Sequence, residues 1–353
     1  MYKDSTTFET TETKKMASHV EFGLKTTATE VAKVFSDQIN GLTVLVTGVS
    51  PKGLGGAFVK AIVEYSPAHI IITGRSQEKL DEISKDLNAR FPTVPITSTA
   101  VDLSSLLSVR KAAVKINKEV DAIDVVLNNA GIMAVPTREL SENGFELHLA
   151  TNHIGHFLLT NLLMDKIRRS AKQRLGSTRI INVASDGYMF TPFRFQDYNF
   201  NGKPVAADEV GTEDWLKRFG YPLEPIAGYD SMIAYGQSKT ANVLFTTHLA
   251  KHLASEGIAS FALHPGVIRT ELERYMSPEN FGSLADVIPH WKTPDGGAAT
   301  SAVAAFDPAL KAYSGGFLMD CQLTTPTSYA TDIEKAEKLW KLTEKLVGQE
   351  FVL

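Results

Sequence analysis

The sequence LTVLVTGVSPKGLGG at residues 42–56 decides the fold of this chain. Its opening, LTVLVT at residues 42–47, is an apolar, β-branched run, which is typical of a buried parallel strand. The glycine-rich part leads into a helical pattern from Ala57 to Val63. A strand, a glycine-rich turn and a helix N-terminus favour binding of a diphosphate, because free N–H groups and the helix dipole face the anion. An ordinary glycine-rich turn is the alternative interpretation.

A second strand indicates which dinucleotide the turn would hold. The run from His69 to Thr73 is apolar and β-branched, and Arg75 follows it closely. An acidic side chain at this point would bind a ribose 2′-hydroxyl, whereas an arginine suits a 2′-phosphate. Lys52 in the first turn adds a second cation, and no carboxylate stands between Thr73 and Gln77. The pattern therefore predicts NADP(H) rather than NAD(H), unless both cations are merely solvated surface charges.

Strand and helix patterns alternate along the rest of the chain. Repeated β/α units predict an α/β fold with a single doubly wound parallel sheet of the Rossmann type, helices on both faces and right-handed crossovers. The candidate sites follow the strands, at the edge where open α/β sheets bind ligands. Further strands are predicted at Ile96–Val101, Ile123–Leu127, Arg179–Val183 and Ala259–Leu263, and helices at Leu106–Glu119 and Gly144–Arg169.

The motif YGQSK at residues 235–239 opens a segment with a helical pattern. On a helix, Tyr235 and Lys239 share one face, so the ammonium group can approach the phenol oxygen. A nearby cation favours the phenolate and lowers a tyrosine pKa, which suits proton exchange with an alcohol or carbonyl oxygen. Taken alone this spacing is common by chance on helix surfaces. Its meaning depends on the other motifs.

In their order along residues 41–320, these motifs resemble the short-chain dehydrogenase/reductase family. The matching features are the turn at Thr47–Gly55, Asp102, NNAG at residues 128–131, Asn152, Ser185, the Tyr235 and Lys239 pair, and Pro265-Gly266 with Thr270. The segments TNHIGHF at 151–157 and SGGFLMDC at 314–321 resemble the retinol-dehydrogenase-like and fungal reductase branch.

The resemblance implies a role for each matching residue. Tyr235 would be the catalytic acid or base, Lys239 would hold the nicotinamide ribose and lower the tyrosine pKa, and Ser185 would steady the substrate oxygen. Asn152 would anchor a water for proton relay. The implied cofactor-binding residues are Gly48, Ser50, Lys52, Gly53, Leu54 and Gly55 at the phosphates, Arg75 at the 2′-phosphate, Asp102 and Leu103 at the adenine, Asn129, Ala130 and Gly131 near the ribose, and Pro265, Gly266 and Thr270 at the nicotinamide, together with Tyr235 and Lys239.

Two features depart from the family pattern. Four residues, VSPK at 49–52, separate the first two glycines where the family usually has three, so Pro51 is expected to bulge the turn. A long insert, residues 186–234, precedes the catalytic helix and is rich in aromatic residues. We interpret it as a flap over the substrate pocket with a small helix near Glu213–Phe219, because long loops in compact domains are usually functional or disordered and aromatic content argues against disorder. A packing insert or an oligomer contact is the alternative.

The chain of 353 residues is expected to form one large domain with additions. Residues 1–40 are predicted to be an N-terminal extension, with 1–15 mobile and an amphipathic helix at 28–39. Residues 41–330 would form the NADP(H)-binding oxidoreductase domain. Residues 331–353 would add a C-terminal helix as a surface cover.

Composition and charge exclude several functions. The net charge is −4 without a basic stripe, so nucleic acid binding is not indicated. No run approaches the ~18 apolar residues of a membrane span, and residues 1–15 lack the apolar core of a signal peptide. The single cysteine, Cys321, fits a reducing compartment, which predicts a cytoplasmic protein. No metal site is predicted; His153, His156 and His264 are interpreted as packing residues.

The sequence thus predicts an NADP(H)-dependent oxidoreductase that interconverts a bulky, largely apolar ketone or aldehyde and its alcohol, with a role in fungal secondary metabolism. A catalytically silent NADP(H)-binding sensor or scaffold and a sugar-nucleotide epimerase are the alternatives. The expected partner is a small hydrophobic molecule. A homo-oligomer through the helices that carry Asn152 and Tyr235 is left open, since added segments could block that surface.

Overall fold

The computed structural model describes residues 17–270, 272, 275 and 290–353, so the segment 1–15 discussed above lies outside the described residues. The described chain contains one eight-stranded sheet in the order β3-β2-β1-β4-β5-β6-β7-β8. All neighbours are parallel except β7 and β8, which are antiparallel. The strands are β1 Thr43–Val46, β2 His69–Gly74, β3 Ile96–Ala100, β4 Val125–Asn128, β5 Arg179–Val183, β6 Ala259–His264, β7 Phe317–Met319 and β8 Gln322–Thr324. This confirms the predicted doubly wound sheet.

Helices cover both faces of the sheet. The described helices are α1 Ala28–Val34, α2 Ser36–Ile39, α3 Leu54–Ile62, α4 Gln77–Arg90, α5 Leu106–Glu119, α6 Leu147–Leu149, α7 Gly155–Leu162, α8 Met164–Gln173, α9 Glu213–Arg218, α10 Ser231–Leu253, α11 Pro294–Phe306 and α12 Ile333–Val347. The expected helix at Glu213–Phe219 is therefore confirmed as α9.

Alternate residues of β1 point into two separate cores. Val44 and Val46 join the core under α1, α3, α4 and α11, whereas Leu45 joins the core under α5, α7, α8, α10 and α12. Successive side chains of a strand face opposite sides of a sheet, so a strand covered on both faces must be apolar throughout. This is why the sequence of β1 reads as a continuous apolar run.

The order in which strands are added to the sheet reverses at β1, and this reversal locates the ligand crevice. From β1 the sheet continues through β2 and β3 on one side and through β4, β5 and β6 on the other. In such sheets the crevice opens at the carboxyl ends of the strands where the order reverses. The glycine-rich turn after β1 and the segment after β4 lie at that edge.

The helix expected over Gly144–Arg169 is interrupted twice. A π-helical turn, Ala150–Ile154, separates α6 from α7, and the chain turns again at Leu163 before α8 begins. Periodicity alone cannot reveal a π turn, because one extra residue in a turn leaves the apolar pattern readable. Such turns are often found at functional sites, and Asn152 lies inside this one.

The two ends of the described chain are packed into the domain. Helices α1 and α11 are in contact, and Val31 and Ala32 of α1 are buried. Trp340 of α12 packs edge-on against Phe157 with ring centroids 4.7 Å apart, and it stacks on Phe245 at 6.1 Å. The tail is thus part of the core on α7 and α10, more than the surface cover that the sequence suggested. It lies on the helices through which the family resemblance implied association.

Candidate active site

The four candidate catalytic side chains converge at the carboxyl edge of the sheet, and all are buried. Tyr235 and Lys239 lie on one face of α10, with the lysine Nζ 5.5 Å from the centroid of the tyrosine ring. Ser185 follows β5 directly, and its hydroxyl is hydrogen-bonded to Tyr235. Asn152 is fully buried on the neighbouring π turn. The i,i+4 placement expected from the sequence is present.

The electrostatics of the pair differ from the sequence expectation. Burial raises the pKa of the Tyr235 hydroxyl, the hydrogen bond with Ser185 opposes this, and the nearby charge of Asp186 adds to it. Burial also lowers the pKa of Lys239 to about 7. The expected lowering of the tyrosine pKa by the lysine is therefore not found, because burial is the largest influence on the pKa of each group. At neutral pH the phenol is held in its protonated form.

The Lys239 ammonium is held by the backbone of β5. Its Nζ donates a hydrogen bond to the carbonyl oxygen of Val183 at 2.9 Å. A Cβ atom added to Gly131 would lie 3.6 Å from the same Nζ and 3.3 Å from Oδ1 of Asn152. The lysine head, Asn152 and the segment after β4 therefore border one small space at the edge of the sheet.

Because Lys239 is buried, the free energy of unfolding should depend on pH. The substitution Lys239→Met should remove this dependence. The pKa of Lys239 is about 7 in the folded chain against an ordinary value of 10.5. Between these values the unfolded chain binds more protons, so the free energy of unfolding should rise with pH. Urea unfolding from pH 7 to 9.5 should show the wild type gaining stability relative to Lys239→Met. A constant difference between the two proteins would contradict the depressed lysine pKa.

Asn152 fastens the loop that follows β4. Its Nδ2 donates to the carbonyl oxygen of Ile132 at 3.0 Å and to Oγ of Ser238 at 2.9 Å. Its Oδ1 accepts a hydrogen bond from the Ile132 N–H at 2.9 Å. The amide thus joins the π turn, the loop and α10, and this fixes the position of the loop beside Tyr235.

Ser185 belongs to a short polar chain that the sequence analysis missed. Its hydroxyl donates to Asp186 Oδ1 at 3.1 Å, and it accepts from the Gly187 N–H at 3.0 Å. Nδ1 of His264, at the end of β6, lies 3.3 Å from the same Asp186 oxygen. A Cβ on Gly187 would approach Tyr235 Cε1 to 3.0 Å, so only a glycine fits closely beside the phenol. The DG pair after Ser185 was the available signal.

The glycine-rich turn fits a diphosphate. Gly48 has a φ of +69°, and a Cβ at this position would meet Cα of Ala130 at 2.6 Å. A Cβ on Gly53 would reach the Ser50 hydroxyl at 2.5 Å, so the four-residue spacer folds tightly on itself. Gly53 is also the N-cap of α3, and no side chain caps that helix. The first N–H groups of α3 are therefore available to an anion.

The two predicted cations both lie at the surface near this turn. Lys52 and Arg75 are exposed, and neither makes an ion pair with a described residue. Asp102, after β3, is also exposed, and its Oδ1 accepts hydrogen bonds from the N–H and hydroxyl groups of Ser104. The backbone of Leu103 lies against α7, where a Cβ on Gly155 would be 2.2 Å from its carbonyl oxygen.

The side-chain nitrogen of Asn129 donates hydrogen bonds within the protein. Its Nδ2 donates to the carbonyl oxygens of Thr47 at 2.7 Å and Gly48 at 3.3 Å. The Thr47 hydroxyl accepts from the N–H groups of Asn129 and Ala130 and contacts His156 Nε2 at 2.8 Å. The side chain that the resemblance assigned to the ribose region thus ties β1 to β4. Thr47 and His156 form a hydrogen-bonded pair beneath the crevice, and this role was not predicted from the sequence.

The turn expected at the nicotinamide end packs against the side chain of Lys292. Gly266 has a φ of +90°, and the Lys292 methylenes lie 2.8 Å from the position of its missing Cβ. Lys292 is buried and forms an ion pair with Asp320 at 2.7 Å. Pro265 is buried after β6, and Thr270 accepts a hydrogen bond from the Leu272 N–H at 3.2 Å. The turn is therefore held close to the end of β6.

Comparisons with known proteins agree with this arrangement. Residues 42–199 match the family model described as short chain dehydrogenase. The chain is 40% identical to oxidoreductase fscI of Fusarium equiseti, over 68% of this chain and 93% of that protein. It is 34% identical to retinol dehydrogenase 13 of Homo sapiens, over 88% of this chain and 86% of that protein.

The chain belongs to the short-chain dehydrogenase family. Its relatives place it with the retinol-dehydrogenase-like and fungal oxidoreductases. Among solved structures, an uncharacterized protein of Mycobacterium paratuberculosis superposes with a TM-score of 0.59 at 26% identity, covering 89% of this chain and 96% of that one. The Pseudomonas aeruginosa RhlG/NADP complex, at 23% identity and a TM-score of 0.58, covers 79% of this chain and 94% of that one and shares the fold.

The side chains that pack against Tyr235 in this short-chain dehydrogenase are mostly apolar. Met133 and Ala134 are buried against Tyr235, and Met232 and Leu272 pack against the same cluster. The His148 ring stands edge-on to Tyr235 with centroids 6.2 Å apart. Its Nδ1 is 2.7 Å from the buried Glu146 carboxylate, and its Nε2 accepts from the N–H of residue 135 at 3.3 Å. The wall beside the phenol therefore consists of apolar side chains on a polar support.

The insert of this dehydrogenase packs largely on itself. Phe190 contacts the rings of Trp215, Phe219 and Tyr221, with centroids 5.2–5.8 Å apart. Asn199 bridges the carbonyl oxygen at residue 144 and the N–H of residue 146 at 2.9 Å each. Most of its aromatic residues thus form a small core beside the start of α10, which favours the packing alternative for them.

Within the part of the chain that the structure describes, no helix has both the length and the apolar character needed to cross a membrane.

Proposed function

We propose that this chain is an NADP(H)-dependent oxidoreductase that interconverts a bulky, largely apolar ketone or aldehyde and its alcohol. The observation that carries the proposal is the buried Tyr235 hydroxyl, hydrogen-bonded to Ser185 and backed by Lys239, at the edge where the uncapped α3 and the glycine turn can hold a dinucleotide. Met133, Ala134 and Met232 supply the apolar surface for the substrate. We also propose a cytoplasmic location, which the single buried cysteine, Cys321, supports. We further propose a role in fungal secondary metabolism, which the similarity to the Fusarium protein supports.

The side chains of this site can carry out a carbonyl reduction in the following steps. A nicotinamide cofactor held beside Tyr235 and Lys239 would supply a hydride to the carbonyl carbon of the substrate. The carbonyl oxygen would accept hydrogen bonds from the Tyr235 hydroxyl and from the Ser185 hydroxyl, which turns to it from Asp186, so both donors lie where negative charge develops. Because burial raises the pKa of Tyr235, its hydroxyl carries the proton that the oxygen takes up. Lys239 stabilises the resulting tyrosinate when charged, and Asn152 with water would return the proton. Alcohol oxidation uses the same groups in reverse.

The test is NADPH oxidation at 340 nm with ketones and aldehydes of increasing apolar size. Turnover that rises with the apolar area of the carbonyl compound is expected. Tight NADPH binding without turnover of any compound would favour the sensor or scaffold interpretation. Conversion of a sugar nucleotide without net NADPH consumption would favour the epimerase.

Arg75→Asp should shift the cofactor preference from NADPH towards NADH. Arg75 is exposed after β2, beside the turn that would hold the phosphates. A carboxylate there repels a 2′-phosphate and can accept a hydrogen bond from a ribose 2′-hydroxyl. The ratio of kcat/KM for NADPH to that for NADH should fall by at least tenfold.

Lys85→Asp is the matched control, since it makes the same charge change at an exposed position farther along α4. Its cofactor ratio should stay within twofold of the wild type. A wild type that already prefers NADH would contradict the assignment of Arg75.

A further inference from the structure

Two histidines and a glutamate meet where the C-terminal helix crosses the catalytic helix. His248 and His252 lie one turn apart on α10, and Glu337 of α12 faces them. One ligand atom from each residue lies within 4.8 Å of the other two. His252 Nε2 is 2.7 Å from Glu337 Oε1, and His248 Nδ1 is 3.4 Å from Oε2. Among the described residues this is the one cluster of three potential metal ligands.

The His248 side chain has the burial and fixed orientation expected of a metal ligand. The residue is 4% exposed, and its Nδ1 has no hydrogen-bond partner among the described residues although it points at the glutamate. A buried polar atom without a partner destabilises a protein, so it calls for an explanation. The Trp340 ring stacks on the imidazole at 4.1 Å with an interplanar angle of 11°, which fixes the ring orientation.

We propose that His248, His252 and Glu337 bind one divalent transition-metal ion of the zinc class, which fastens α12 to α10. Zinc bonds of about 2.0–2.2 Å in tetrahedral geometry place ligand atoms roughly 3.3 Å apart. The 3.4 Å pair, His248 Nδ1 with Oε2 of Glu337, is close to that spacing. His252 Nε2 is hydrogen-bonded to the other carboxylate oxygen, Oε1, so the ion replaces that hydrogen bond and draws together ligand atoms that now lie within 4.8 Å of one another. His252 and Glu337 are only half-buried, so water can complete the coordination.

The ion would have a structural role. His248 is thirteen residues beyond Tyr235 on the same helix, which corresponds to roughly 20 Å along its axis. That distance is too long for contact with a carbonyl held by Tyr235. Lys251 competes for Glu337, with its Nζ 3.0 Å from Oε1, but its side chain is 47% exposed and can turn into solvent. The sequence analysis did not identify this site, because Glu337 is 85 residues away from His252.

The experiment uses the full chain without a histidine tag, treated with EDTA and then titrated with Zn²⁺ against a chromophoric chelator. The wild type should bind one Zn²⁺ per chain and gain thermal stability, and Co²⁺ should give visible absorption of a low-coordinate site. His252→Gln should lower the affinity at least tenfold. His19→Gln is the matched control, because His19 also contacts a glutamate at 2.7 Å but has no third potential ligand among the described residues.

Lys251→Ala provides a second test that does not remove a ligand. It takes away the competing cation, so the Zn²⁺ affinity should increase by threefold or more. Equal affinities for the wild type and His252→Gln, or an equal loss in His19→Gln, would overturn the proposal. So would an unchanged or lower affinity in Lys251→Ala.

Discussion

Tyr235→Phe should lower kcat on the order of 10³-fold while leaving NADPH affinity within twofold of the wild type, because the change removes the only atom that donates the proton. The phenol is 4% exposed beside Ser185, so a phenyl ring fits the same space. Steady-state kinetics with the best carbonyl substrate and NADPH binding by fluorescence would measure the two effects separately.

Tyr188→Phe is the matched control for this change. Tyr188 is a buried tyrosine whose hydroxyl accepts from the Thr327 N–H at 3.3 Å, so the same atom is lost outside the reacting groups. It should lower stability by about 1 kcal/mol, since one hydrogen-bond partner is lost, and leave kcat within twofold. Equal loss of turnover and of NADPH binding in Tyr235→Phe would mean that Tyr235 is only structural.

Gly48→Ala should destabilise the fold by about 3 kcal/mol and weaken NADPH binding at least tenfold. Part of the cost is the left-handed backbone, with φ at +69°, which disfavours any side chain by about 1 kcal/mol. The rest is overpacking, because the new Cβ would lie 2.6 Å from Ala130 Cα and the backbone must move. That movement shifts the turn at the N-terminus of α3. Urea unfolding and NADPH titration would measure both effects.

Gly220→Ala separates the two causes. Gly220 has a φ of +71° as well, but nothing lies within 4 Å of the position of its Cβ. This variant should lose about 1 kcal/mol of stability and keep its NADPH affinity. Similar losses in the two variants would contradict the importance of the contact between Gly48 and Ala130.

The extent of the sequence prediction follows from the physics of each feature. The apolar run at 43–46 and its glycine turn predicted β1 and a helix after the turn, because a doubly covered strand must be apolar and a left-handed turn favours glycine; α3 begins at Leu54, three residues before the predicted start. The spacing of Tyr235 and Lys239 predicted a shared helix face because a helix repeats every 3.6 residues. Both are local rules, and both features are present in the structure.

Other features depend on contacts between distant segments. The Asn129 amide bonds to Thr47 and Gly48, more than eighty residues earlier, and the aromatic residues of the insert mostly contact each other. The family resemblance placed Asn129 in the ribose region, and the length and aromatic content of the insert led to its interpretation as a flap. Which partner a polar or aromatic side chain meets is decided by how the chain folds back, and no local pattern records it.

Local sequence was enough to predict the doubly wound sheet, the family and the four candidate catalytic side chains, because backbone periodicity and glycine turns act over a few residues. How those side chains titrate and what they contact depends on the complete folded chain. Tyr235 and Lys239 are both buried, and burial raises the pKa of the tyrosine, which is opposite to the expected direction. Likewise, His248 and Glu337 meet only because α12 packs across α10. Desolvation and long-range packing are properties of the whole fold.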